Sequence, residues 1–246
     1  MNSSKINFRL VNIFFFAITV LINFISVVYK IGGKSIKELS DKYDNLFTPS
    51  SSTFAIWSLI YLLMFVFLVV QFLSRNNDSV LVKTAYFSLS CLFNFSWIVA
   101  WQYEFIFLSL LIMAGLLAVL VKINYEIKTQ GQEFFKLVFG IYLGWICIAT
   151  IANATAFLVS LGFDFNIQFQ VVATILVLLI GVAIVFWTMY RLSNFYLAIS
   201  VSWALLGIYQ KRAGDFPLIA NFSVILTAVV SIYVLFNLNQ IIKKAK

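Results

Sequence analysis

The sequence predicts an all-α fold, a polytopic membrane bundle of about eight helices, and three observations carry that prediction. Of the 246 residues, 63% are hydrophobic and 11% charged, with a mean hydropathy of +1.00, a balance that excludes a soluble globular domain. The apolar residues fall into eight runs joined by mostly short polar connections. Two prolines and ten glycines are too few for a loop-rich chain, and no stretch is biased enough for a disordered tail or a flexible linker.

The runs cover residues 8–29, 54–73, 82–101, 105–123, 135–161, 169–190, 195–208 and 218–242. Most reach the roughly 20 residues that cross about 30 Å of hydrocarbon at about 1.5 Å per residue; residues 195–208 form the shortest. The first run is longer than a signal-peptide core, and Val27-Val28-Tyr29-Lys30 offers no small-residue cleavage site, so it is kept as a membrane helix. Residues 30–53 are the one long connection, with Gly32-Gly33, alternating charges and Pro49 ahead of Ser50-Ser51-Ser52-Thr53. Ser52 or Thr53 is expected to cap the second helix.

Trp57 and Tyr61 lie four apart in the second helix. In the third, Ser90, Asn94, Trp97 and Trp101 recur at spacings of 4, 3 and 4, one face of a helix. Trp57 and Trp101, near helix ends, are expected in the aromatic belt at the membrane interface. Asn94 lies deeper, and its amide must face protein or ligand. The fifth helix carries Tyr142, Trp145, Ala149 and Asn153 at spacings of 3, 4 and 4, with Thr150 beside them. Trp145 is roughly 15 Å into its run, too deep for a belt. It either packs in the bundle core or lines a cavity that Ala149 leaves room for, and the residues alone leave both readings standing.

Lysine and arginine number 11 on the side of the two termini and 6 on the other. This asymmetry predicts cytoplasmic termini and an outer or lumenal position for the 30–53 loop, with the basic residues serving as topology signals and no nucleic-acid partner. Glu104, Asp164 and Arg191 fall at turns, so no central charge is left to carry a coupling proton or to form a retinal Schiff base. The chain has no histidine, which argues against metal sites and triad hydrolysis. Cys91 and Cys147 fall within apolar runs and are read as small buried hydrophobes, without a disulfide.

Pro49, Phe54, Ile56-Trp57-Ser58-Leu59-Ile60-Tyr61, then Asn94 with Trp97, then Tyr142-Leu143-Gly144-Trp145 with Ala149-Thr150 and Asn153 resemble, in order and spacing, the tryptophan-rich sensory protein/translocator protein family. The resemblance covers about residues 8–161 and includes a Tyr-x-x-Trp-x-x-x-Ala-x-x-x-Asn pattern. It implies a five-helix core over 1–161 whose first long loop caps a pocket, with residues 162–246 adding three helices to the same compact unit. Trp187, Asn194, Ser200, Ser202 and Trp203 stand out in that addition, which is expected to cover the pocket, bind a partner or replace a dimer interface.

The resemblance further implies binding of a porphyrin-like or other flat hydrophobic ligand, with Trp57, Tyr61, Asn94, Trp97, Tyr142, Trp145, Ala149 and Asn153 as ligand-binding residues. The residues themselves offer no acid, base or metal constellation, so no catalytic or metal-ligating residue is expected, and no cofactor is implied beyond a tetrapyrrole as ligand. Three departures stand out: serines replace the loop tryptophan that usually follows a proline pair, Ile141 replaces a proline, and residues 154–165 lack the tyrosine of the family's cholesterol stretch. A loose cholesterol-type pattern at Val121 to Lys128 is of a kind frequent by chance.

The expected function is therefore that of a membrane receptor or sensor. The competing readings are a transporter or facilitator of small hydrophobic molecules, and light-dependent porphyrin degradation promoted by Trp145. Expected partners are the lipid bilayer and a small hydrophobic ligand, with a homodimer as a further option, and the expected location is a bacterial plasma membrane. A pocket of roughly 300–1,000 Å³ beside Trp145 and Asn94 favours a ligand, whereas a filled core there favours packing alone.

Overall fold

The structure, a computed structural model, describes residues 8–73, 80–130, 132–163 and 165–245. Asp164, expected at a turn, lies outside the described residues, as does the 74–79 part of the loop after the second apolar run. The helices are α1 (Arg9–Tyr29), α2 (Ile36–Lys42), α3 (Ile56–Leu73), α4 (Val80–Lys83), α5 (Tyr86–Gln102), α6 (Ile106–Lys128), α7 (Glu133–Ser160), α8 (Ile167–Leu192), α9 (Leu197–Arg212) and α10 (Pro217–Ala245). Among the described residues eight of these are long, and six segments are long and apolar enough to cross a membrane. The shorter two, α5 with 17 residues and α9 with 16, span about 25 Å, short of a 30 Å hydrocarbon core.

α7 is the central helix: 67% of its most apolar window is buried, against 22–33% in the other five spans. It packs on α6, α9, α3 and α8, while α5 bridges α1 to α6, and α10 closes on α9 and α8. Close contact with α9 depends on Gly140 and Gly144, one helical turn apart. A Cβ on Gly144 would sit 2.4 Å from the Ser200 hydroxyl and 2.5 Å from the Leu197 carbonyl oxygen, the small-residue contact that lets membrane helices approach.

Polar side chains inside the bundle join helices. Asn12 of α1 donates to Gln71 of α3 and to the Leu81 carbonyl of α4, each at 3.0 Å, and accepts from Ser88 of α5 at 2.7 Å. Asn194, just before α9, donates to Asn124 of α6 at 2.7 Å and to the Lys136 carbonyl of α7 at 2.8 Å. In hydrocarbon an amide left without partners is costly, so these contacts pin the helices in register. Cys91 and Cys147 are unpaired.

The 30–53 connection folds into a cap at one end of the bundle. It contains a 3-10 turn (Ile31–Gly33), α2, and a second 3-10 turn (Ser51–Ala55) that runs into α3. α2 starts with a capping box, in which Ser35 accepts from the Glu38 N–H and Glu38 accepts from the Ser35 N–H. Gly32 adopts φ 75°, and a Cβ there would lie 2.3 Å from the Gln102 carbonyl oxygen, so glycine permits the cap to rest on the end of α5. Ser50 occupies the N-cap position of the second turn, two residues ahead of the expected Ser52, because the chain enters α3 through that turn.

Candidate site beneath the loop cap

Four tryptophans converge where α3, α5 and α7 meet the cap. Trp57 stacks on Tyr61 at 5.5 Å and on Trp97 at 6.2 Å, and presents its edge to Tyr142 and Trp145 at 6.0 and 6.2 Å. Trp97 stacks in turn on Trp101 at 6.2 Å, while Phe54 meets Trp145 edge to face at 6.0 Å. Trp101 does not lie in a lipid-facing belt, which corrects the expectation for it: it is only 6% exposed, beneath the cap. Trp57 is half-buried, with four aromatic rings around it.

A cleft with about 50 Å³ of free space lies between this cluster and the cap. Of the eight residues expected to bind a ligand, Trp57, Trp97, Trp145, Ala149 and Asn153 line it. Ala149, Ala152 and Ala156 on α7 present methyl groups where larger side chains would close the space. Tyr61, Asn94 and Tyr142 are absent from the lining and form a relay beneath it. The Tyr61 hydroxyl donates to the Asn94 carbonyl oxygen at 3.0 Å, and the Asn94 amide donates to the Tyr142 hydroxyl at 2.7 Å. Asn94 is thus satisfied by protein. The Thr150 hydroxyl bonds back to the Ile146 carbonyl of its own helix at 2.7 Å.

The indole N–H groups around the cleft divide into two kinds. Trp97 donates to the Asn153 side-chain oxygen at 3.3 Å, which also accepts from Ser109 at 3.0 Å. The Nε1 atoms of Trp101 and Trp145 are buried with no hydrogen-bond partner. An unpaired buried donor costs about 1–3 kcal/mol, and both tryptophans line the cleft. Among the described residues, no charged side chain lines the cleft.

The cap is held on both flanks. On the α5 side, Glu104 accepts from Lys34 at 2.5 Å, from Tyr43 at 2.7 Å and from Lys42. These hydrogen bonds, that of Lys34 foremost, hold the Glu104 carboxyl down at about 2. Gln102 also donates to the Ser26 and Lys34 carbonyls.

On the other flank α9 is the anchor. Trp203 donates to the Thr53 carbonyl at 2.8 Å, Ser50 and Ser52 both donate to the Gln210 side chain at 2.8 and 3.0 Å, and the Ser50 N–H donates to the Gly207 carbonyl at 3.0 Å. Arg212 donates to the Leu46 and Asn45 carbonyls, and Lys211 pairs with Asp44 at 2.7 Å. Thr53 fills the space above Gly207, where a Cβ would lie 2.0 Å from its hydroxyl.

Several of these residues had no assigned role in the sequence reading. Tyr43 and Phe54 line the cleft from the cap, and Gln210, Lys211 and Arg212 act through it. The Gly140-x-x-x-Gly144 spacing in the sequence was the available signal for a partner helix on α7. The serines in the usual tryptophan position are the groups that reach α9.

A family model described as TSPO-like protein matches residues 9–236, which takes in α8, α9 and most of α10 as well as the helices before them. No curated protein and no solved structure matches the chain.

Proposed function

The chain belongs to the TSPO-like protein family, and from that premise we propose that this multi-pass membrane protein is a receptor for a flat, mostly apolar ligand of the porphyrin kind, taken up in the cleft beneath the cap. The observation that carries the reading is the pair of unpartnered indole donors, Trp101 and Trp145, on the walls of one uncharged cleft. A planar ligand with acceptor atoms satisfies those donors and gains ring contact with Trp57 and Trp97.

The free space of about 50 Å³ holds a water or two, not a ring system of several hundred Å³. The described conformation is therefore the closed one, and binding requires the cap to move off α9. Observed affinity then includes the cost of opening. The cation excess on the side of the termini supports cytoplasmic termini in a plasma membrane, with the cap on the outer side.

Titration of the purified protein with protoporphyrin, followed by tryptophan fluorescence, tests the reading. Saturable quenching in the native chain and an affinity weakened about thirtyfold in a Trp101→Phe, Trp145→Phe double variant are expected, from two lost hydrogen bonds. Affinity unchanged by the double substitution overturns it.

A further inference from the structure

The end of the bundle away from the cap carries a second and larger opening. A groove of about 1030 Å³ runs between the last turns of α6 and α8, the first turns of α7 and α9, and the flank of α10. Its lining is graded. Lys128, Lys136 and Arg191 are grouped at the helix ends, and Tyr125, Trp187 and Tyr190 stand exposed around them. Val121, Ile199 and Val234 extend the surface along the helices.

The charges at this end do not cancel. Lys136 is buried against Glu133 at 2.6 Å, a local pair within α7. Lys128 and Arg191 have no carboxylate partner among the described residues. Lys128 instead donates to the Arg191 backbone carbonyl at 2.8 Å, which brings its ammonium to the end of α8 where Arg191 stands, and the Arg191 guanidinium lies 5.9 Å from the Trp187 ring centre. Two cations with no carboxylate partner among the described residues, beside the tyrosine and tryptophan side chains that favour the headgroup level, give this end the chemistry that recognises a lipid phosphate. The apolar continuation along Val121, Ile199 and Val234 suits an acyl chain, and the volume is far more than a free phosphate fills.

We infer that this groove binds one anionic phospholipid, its phosphate held by Lys128 and Arg191 and an acyl chain laid between α6, α9 and α10. The site is independent of the ligand cleft, which lies at the opposite end of α7. Lysine and arginine beside an anionic lipid surface attract it with a strength that gives about a thirtyfold preference for two such cations.

The test uses the full chain in vesicles containing either brominated phosphatidylglycerol or brominated phosphatidylcholine. Trp187 is read by subtracting the signal of a Trp187→Phe variant. Quenching of Trp187 at about thirtyfold lower mole fraction of the anionic lipid is expected, together with loss of that preference in a Lys128→Gln, Arg191→Gln double variant. Equal quenching by both lipids in the native chain overturns the inference, and this comparison decides the matter even where the double variant fails to accumulate. Preference that survives the double substitution, or that inorganic phosphate at millimolar concentration abolishes, also overturns it, the latter by showing a site for the free anion.

Discussion

Trp203 of α9 donates its indole N–H to the backbone carbonyl of Thr53 at 2.8 Å, and so ties a helix late in the chain to the loop that closes the cleft. The same helix holds Ser50 and Ser52 through Gln210. Where serines stand in place of a bulky loop residue, the cap is fastened by hydrogen bonds to α9.

Loosening that attachment is expected to speed ligand entry. Each bond of this kind shifts the closing equilibrium by about 1 kcal/mol, roughly fivefold. Stopped-flow mixing of protoporphyrin with Trp203→Phe and Gln210→Ala variants is therefore expected to show association several times faster than in the native chain. Association at the native rate in both would detach α9 from control of the cap.

The other flank responds to pH. Glu104 is held at about 2 by Lys34, Lys42 and Tyr43, below its ordinary 4.5. A carboxylate depressed on folding contributes its full stability above the ordinary value and loses it as pH falls from about 4.5 toward 2. Thermal unfolding is expected to drop over that window in the native chain and to flatten in Glu104→Gln. Glu38, lowered to about 2 chiefly by the Ser35 backbone N–H and next by Lys30, titrates in the same window and leaves a residual slope.

Gly144→Ala is expected to lower stability by about 1–3 kcal/mol, because the added methyl meets the Ser200 hydroxyl and the Leu197 backbone. Unfolding in mixed detergent measures it. A neutral result would mean that α7 and α9 are not in close contact.

Asn94→Ala separates packing from binding. It leaves the hydroxyls of Tyr61 and Tyr142 without their shared amide, a loss of about 1–3 kcal/mol in stability. Affinity for protoporphyrin is expected to stay at the native value, since Asn94 does not line the cleft.

The aromatic and amide stripes of α3, α5 and α7 were legible because helical spacing places Trp57, Trp97, Trp145 and Asn153 on inward faces before any fold is known. The burial of each side chain was not. Trp57 and Trp101 read as belt residues from their positions near helix ends, yet both join the aromatic cluster under the cap, Trp101 buried and Trp57 half-buried. Tyr61 and Asn94 read as pocket walls, yet each found a partner one layer below. The anchoring of the cap joins residues about 160 apart in sequence, a pairing that periodicity cannot show.

The central claim is that a ligand enters between the cap and the indoles of Trp101 and Trp145. A structure of the protein determined with protoporphyrin bound tests it most directly. The account predicts planar density within hydrogen-bond distance of both Nε1 atoms, with Ser50 and Ser52 drawn away from Gln210. Density elsewhere in the bundle, over a cleft still closed and a cap still fastened to α9, would contradict it.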